Sequence, residues 1–213
     1  MKTKWKYCKC RTLVFTISLA SSMIAAIASD DAKTQDVHAV LIQKVKEGDF
    51  EAARILLESG DASVKKTLAI QLSEARASKM SPQYIRTLRK SLAYLGDLDA
   101  RRGIISDIAS NRRYDQFHAI QDAADIGGND MVNKLAETLY DDSPGGRPID
   151  QDGQLVEDVG LPAPRHAAAI ALSRIINDPT APRIDLEHIT YDEQVVKQWR
   201  DWWRTNGGRF AVK

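Results

Sequence analysis

Two stretches of this 213-residue chain nearly repeat each other, "GDFEAAR" at Gly48–Arg54 and "GDLDARR" at Gly96–Arg102. Each follows an amphipathic segment and precedes an apolar one. A fainter echo sets "LGDLDARRGIISDI" (Leu95–Ile108) over "IGGNDMVNKLAETL" (Ile126–Leu139), with Ile104 falling on Leu135 and Ile108 on Leu139. A glycine ends a helix readily because it tolerates the left-handed conformation, and the Asp or Asn after it can accept a first-turn N–H of the next helix. These stretches therefore read as joints between helices, and their recurrence marks a repeat array.

Between the joints, apolar residues recur at three-and-four spacing, as in Leu68, Leu72 and Ala75 or Ile85, Leu88, Leu92 and Leu95, and almost none alternate with period two. The pattern predicts helices over 36–47, 50–59, 62–77, 82–95, 98–109, 114–126, 129–141, 164–177 and 191–205. Pro82 suits the first turn of the fourth, after Ser81. Short helices joined by short turns stack as antiparallel pairs. The expected fold class is all-α, a right-handed α-α superhelix.

The N-terminal end has a different character. Lys2, Lys4, Lys6, Lys9 and Arg11 precede an apolar run, Leu13–Ala28, that ends in Ala26-Ile27-Ala28. That is the plan of a secretory signal peptide over 1–28 cleaved before Ser29. The run is shorter than the ~20 residues a spanning helix needs and is diluted by Thr16, Ser18, Ser21 and Ser22, so no permanent membrane anchor is expected. The expected location is periplasmic or secreted, in a bacterium. Cys8 and Cys10 lie ahead of the apolar run, so the mature domain, 29–213, has no thiol for a disulfide, a Cys-based metal site or thiol catalysis. Its stability must come from buried apolar area.

Removing five cations from a formal balance of +1 leaves the mature chain at −4. The charge is also unevenly placed. Arg86 to Arg113 is cationic, holding Arg101, Arg102, Arg112 and Arg113, whereas Asp122 to Asp158 is strongly acidic. A basic stripe can mean nucleic acid, but an exported protein seldom meets it, and none is expected as a partner. The acidic part includes an insertion, 141–164, rich in proline and glycine, which separates two predicted helices. Asp152-Gly153 is a two-residue turn signal, so a small hairpin with Ile149 and Leu155 on its arms is expected.

After the insertion comes "PRHAAAIALSRI", Pro164–Ile175. Arg165, Ala168, Ala169, Ala171, Leu172 and Ile175 reproduce the R-x-x-A-A-x-A-L-x-x-I pattern of the second helix in bacterial HEAT-like repeats, which this chain resembles. Small alanines let neighbouring helices approach while Leu172 and Ile175 fill the space between them. Nearer the N-terminus, "KEGDFEAARILLESGDASV" also looks like an ankyrin repeat lacking its T-P-L-H hairpin, and tetratricopeptide repeats share the helix-pair plan without their Trp, Gly and Tyr spacing appearing here. The HEAT-like resemblance implies a surface for a protein or peptide partner, with no cofactor and no catalytic residues.

The chain closes on "QWRDWWRTNGGRF" (Gln198–Phe210). Thr190 and Glu193 are expected to form a capping box for a helix over 190–206, with Val195, Val196, Trp199, Trp202 and Trp203 on one face. A terminal repeat has no following neighbour, so such a face is expected to be a lid over the last helix pair, each Trp burying up to ~250 Å². The competing reading is an exposed aromatic platform for glycan or peptide.

Other constellations are weaker. Asp115, His118 and Asp122 share a helix face, but two hard ligands and one imidazole from one helix make a poor zinc site. Asp150, Asp152, Glu157 and Asp158 resemble a calcium loop, yet an EF-hand register puts Pro148 first and Val159 last. No nucleophile elbow, P-loop or dinucleotide fingerprint occurs.

The expectation is therefore a non-enzymatic scaffold or adaptor for a protein or peptide of the cell envelope. Arg101, Arg102, Arg112 and Arg113, with Asp150 and Asp152 of the insertion, are its candidate contacts, and no metal or cofactor is expected. The alternative is a helical domain, possibly enzymatic, that engages glycan or peptidoglycan through the Trp face and the acidic loop.

Overall fold

The computed structural model describes residues 31–47, 49–58, 62–146, 160–185 and 191–210. The expected signal peptide, the hairpin arms Ile149 and Leu155, the Asp152-Gly153 turn, and Thr190 all lie outside these residues. What is described is all-helical. The α-helices are α1 (Asp31–Lys46), α2 (Phe50–Glu58), α3 (Ala62–Ala77), α4 (Pro82–Tyr94), α5 (Leu98–Ile108), α6 (Arg113–Ile126), α7 (Asn129–Thr138), α8 (Pro164–Ile175) and α9 (Glu193–Asn206), followed by a 3-10 turn, Gly207–Phe210.

These bounds track the apolar periodicity and depart from it where other forces act. α1 starts five residues early, over the polar "DAKTQ" that periodicity cannot mark. α7 ends at Thr138 because its last turn tightens, with Tyr140 N–H donating to Glu137 O and Asp141 N–H to Thr138 O. α8 ends at Ile175, since Ile176 is extended.

The joints have the expected chemistry at the Gly-Asp sequences and a different one at Gly-Gly-Asn. At the first, Gly96 adopts φ +76°, Asp97 N–H reaches back to Leu92 O (2.9 Å), and the Asp97 carboxylate caps α5 by accepting from Ala100 N–H at 2.9 Å. Asp49 likewise accepts from Ala52 N–H at 3.1 Å. At the second, Asn129 is not the cap. Gly127 and Gly128 both take positive φ, Gly128 is the capping residue and brings no side chain, and Asn129 is already helical.

Packing follows two rules. Each helix from α4 to α8 lies against its neighbour in sequence, and α4 also packs on α6, α6 on α8, and α5 on α7. The α6 to α8 contact is the most extensive of the next-but-one contacts. One continuous core runs through the array: Leu68, Leu88, Leu92, Ile104, Ile108, Ile120, Met131, Leu135, Leu139 and Leu172 are fully buried. Ala168, Ala169 and Ala171 of α8 are also buried, which is the close approach their size permits.

α9 covers the end of the core. Trp199 and Trp202 are buried and meet edge-to-face at 5.6 Å, while Trp203 is half-buried and stacks on Phe210 at 5.5 Å. Trp202 Nε1 donates to Thr180 Oγ1 at 3.0 Å. Asn133 of α7 donates to Phe210 O at 2.7 Å, and Arg200 donates through Nε to Leu139 O at 2.8 Å. The capping box expected at Thr190 and Glu193 is replaced: Asp192 caps α9 by accepting from Gln194 N–H, and Glu193, the first helical residue, pairs with Arg165 instead.

The insertion is pinched at its neck. Gly146 N–H donates to Leu161 O (3.1 Å) and Leu161 N–H to Gly146 O (2.5 Å), an isolated antiparallel bridge. A β-carbon at Gly145 would fall 2.4 Å from Leu161 O, so the two segments meet this closely only because position 145 has no side chain.

Two joints give a paired test. Lys79 holds φ +50°, in the same backbone pattern that Gly96 adopts at the end of α4. Lys79→Gly is expected to raise unfolding free energy by about 0.5–1 kcal/mol, and Gly96→Ala, which meets no atom, to lower it by about 1–2 kcal/mol; urea denaturation checks both.

Candidate functional site

Charged groups line several seams between the described helices, and the candidate cations divide between those seams and the surface. At the α5–α7 seam, Arg101 projects from the first turn of α5 and forms a fork with Asp130, Nε to Oδ2 at 2.7 Å and Nη2 to Oδ1. The same guanidinium donates to Gly127 O (2.7 Å) and Ala93 O (3.3 Å). Arg101 thus ties the ends of α4 and α6 and the start of α7 together, and only 15% of its side chain is exposed. Gly128 makes room for it: a β-carbon there would sit 2.6 Å from Arg101 Nη2. Hydrogen bonding to Arg101 dominates over burial and holds the Asp130 carboxyl below its usual range.

The second seam joins α4, α6 and α8. Asp122, 1% exposed, accepts a fork from Arg86 with both bonds at 2.8 Å, and Lys90 lies 3.6 Å away. Lys90 also reaches Asp125 (2.5 Å), whose other oxygen accepts from Arg174 of α8 (2.9 Å). The group considered for zinc is therefore dispersed: Asp122 is spent on Arg86, Asp115 pairs with Arg112, and His118 Nδ1 lies 3.2 Å from Gln121 Oε1. Burial, and then Arg86, keep the His118 imidazole below its usual pKa. Among the described residues no three His, Cys, Asp or Glu gather as a metal would require.

The third seam lies where the C-terminal ends of α5 and α7 meet the start of α6, beside a polar cleft of about 420 Å³. Arg113 donates to Gln116 Oε1 (2.5 Å), and the buried Gln116 amide donates to Ile108 O (2.9 Å) and Asp141 Oδ2 (3.2 Å). Asp141 also accepts the Ser143 backbone N–H (3.0 Å) and hydroxyl. Burial acts to raise the Asp141 pKa, but these bonds together bring it below the usual value.

Arg102 and Arg112 remain outward-facing, 75% and 68% exposed, each beside one carboxylate on its own helix turn, Asp99 and Asp115. The structure therefore separates the candidate cations into two that hold helices together, Arg101 and Arg113, and two that face solvent. Asp150 and Asp152 lie outside the described residues. Sequence reasoning passed over Gln116, and it gave Arg86 and Asp122 no part in joining helices. The available signal was position, because Gln116 and Asp122 interrupt the apolar face carried by Ala119, Ile120 and Ala123.

A second hollow, about 300 Å³, opens between α6 and α8, where Ala124, Ala167 and Ala171 face one another and Phe117, Ile170 and Tyr191 stand around them. Its walls are mainly apolar.

The two classes of arginine predict different losses. Arg86→Ala deprives the buried Asp122 carboxylate of its fork, with Lys90 still 3.6 Å away, and is expected to cost about 3 kcal/mol, whereas Arg102→Ala should change stability by less than about 0.5 kcal/mol in the same urea titration. Because the folded pKa of Asp130 is depressed, its stabilisation is complete above the ordinary carboxylate pKa near 4 and is lost as pH falls through the lower folded value. Arg101→Met should remove that part of the acid dependence, read as melting temperature against pH between about 5 and 2. Comparison with known proteins gives no matching family, no matching curated protein and no matching solved structure.

Proposed function

We propose that the chain is a non-enzymatic HEAT-like scaffold, its helix pairs wound as a right-handed α-α superhelix, that binds a protein or peptide partner in the bacterial cell envelope. The observation that carries this reading is the next-but-one packing of α4, α6 and α8 beside α5 and α7, the contact pattern by which stacked helix pairs build an extended flank. Such a flank suits a macromolecular partner more than a small substrate. The exposed guanidinium groups of Arg102 and Arg112 are the contacts we assign to it; Arg101 and Arg113 support the helices that display them.

Export rests on the basic and apolar leader before Ser29, and no helix among the described residues is long and apolar enough to cross a membrane. The glycan alternative has less to draw on, because Trp199 and Trp202 face the core and offer no stacking surface.

The test is a cross-linked pull-down from the envelope fraction of the native host with the mature chain, Ser29–Lys213, against an Arg102→Glu/Arg112→Glu variant. A protein captured by the parent and lost with the variant is expected. Capture of no protein at any salt concentration overturns the scaffold reading, and undiminished capture by the variant overturns the assigned face. Intact-mass analysis of the exported protein should give an N-terminus at Ser29.

A further inference from the structure

We propose that Asn206–Gly207, at the end of α9, is a deamidation site that the closed α9 holds shut, so that modification there records openings of this closing helix and, once made, loosens it. The chain has five asparagines, and Asn206 alone is followed by glycine. Succinimide formation is fastest before glycine, because no side chain shields the attacking backbone nitrogen. The chemistry consumes water and releases ammonia. Gly207 N bonds to Asn206 Cγ, Nδ2 leaves as ammonia with the proton from Gly207 N–H, and water then opens the ring to aspartate or isoaspartate.

The fold calls for both residues of this dipeptide. A β-carbon at 207 would lie 2.7 Å from Trp203 Cε2, against a rigid ring that itself stacks on Phe210, so only glycine fits. Position 206 needs a donor and an acceptor together: Asn206 Nδ2 donates to Trp202 O at 2.9 Å, and Oδ1 accepts from Arg209 Nη2. Arg209 also donates to Asp178 Oδ2 at 2.8 Å, Asp178 accepts the Thr180 hydroxyl at 2.6 Å, and Thr180 Oγ1 accepts Trp202 Nε1 at 3.0 Å. A ring of hydrogen bonds thus closes around the last turn of α9 and passes through Asn206.

In the closed form attack is blocked twice. Asn206 is helical, a conformation that turns the following nitrogen away from its own Cγ, and the Gly207 N–H is bonded to Trp203 O, so it is neither aligned nor free to lose its proton. The Arg209 bond draws electrons from the Asn206 carbonyl but does not bring that nitrogen closer. Reaction therefore needs the last turn to open, and its rate is that of the unfolded chain multiplied by the open fraction. Modification then weakens the closure. Aspartate at 206 has no donor for Trp202 O and sets a carboxylate against that carbonyl and the negative end of the helix dipole; its one gain is an ion pair with Arg209, whose side chain is 58% exposed. Isoaspartate adds a backbone carbon and displaces Gly207 from its place on Trp203.

Peptide mapping of the full chain tests the gate. The protein is held at about pH 8, folded and in guanidinium chloride, while aspartate and isoaspartate at 206 are followed in time, and the folded rate should be at least about tenfold the lower. Asn133→Ala, which releases Phe210 O without touching Asn206, should raise the folded rate at least about threefold; Phe210→Ala, which unstacks Trp203, serves if that variant folds poorly. In hydrogen–deuterium exchange, Asn206→Asp should lower the protection of Trp203 to Thr205 at least about threefold. Equal rates folded and denatured, no rise in either loosened variant, or undiminished protection in Asn206→Asp overturns the proposal.

Discussion

No helix among the described residues is long enough to persist alone in water. The described helices run from nine to sixteen residues, at or near the length where an isolated helix is marginal even with favourable sequence. Each exists because its neighbours cover its apolar stripe, so the joints that set one helix against the next are as much a condition of the fold as the core itself. This explains why backbone freedom is concentrated at Gly96, Gly127 and Gly128, and why Arg101 is stationed over the last two.

The same constraint accounts for the use of charge. A stack of helices has seams, and a seam lined only by apolar groups would let one helix pair slide on the next at little cost. Arg86 with Asp122 and Arg101 with Asp130 bond at one register alone. Such partly buried pairs add little net stability over a well-packed apolar contact, but a slip that unpairs them leaves a desolvated charge, which is expensive. The basic stretch that looked like a docking stripe is thus largely internal bracing, with Arg102 and Arg112 as its outward remainder.

That division shows what the sequence could convey. The described helices and most of their ends were legible because period 3.6 and the Gly-Asp joints are local signals, and the Trp stripe of α9 read as core because five large apolar residues share one face. Arg86 and Asp122 lie 36 positions apart, so their pairing belongs to the stacking of helices and leaves no local trace. The capping box failed for a related reason: Glu193 satisfied the motif by spacing, yet a guanidinium from α8 claimed its carboxylate, and Asp192 took the cap. The hollow between α6 and α8 was equally hidden, since it arises from alanines on two helices separated by the insertion.

The bridge between Gly146 and Leu161 bears on how the insertion is held. The two ends of the insertion are fastened to each other and, through Ser143 and Arg165, to α8. Lengthening a closed loop costs folding only logarithmically, about 0.6 kcal/mol per doubling. The fastening of Gly146 to Leu161 therefore sets the separation of the two chain ends without reference to the length of chain that joins them.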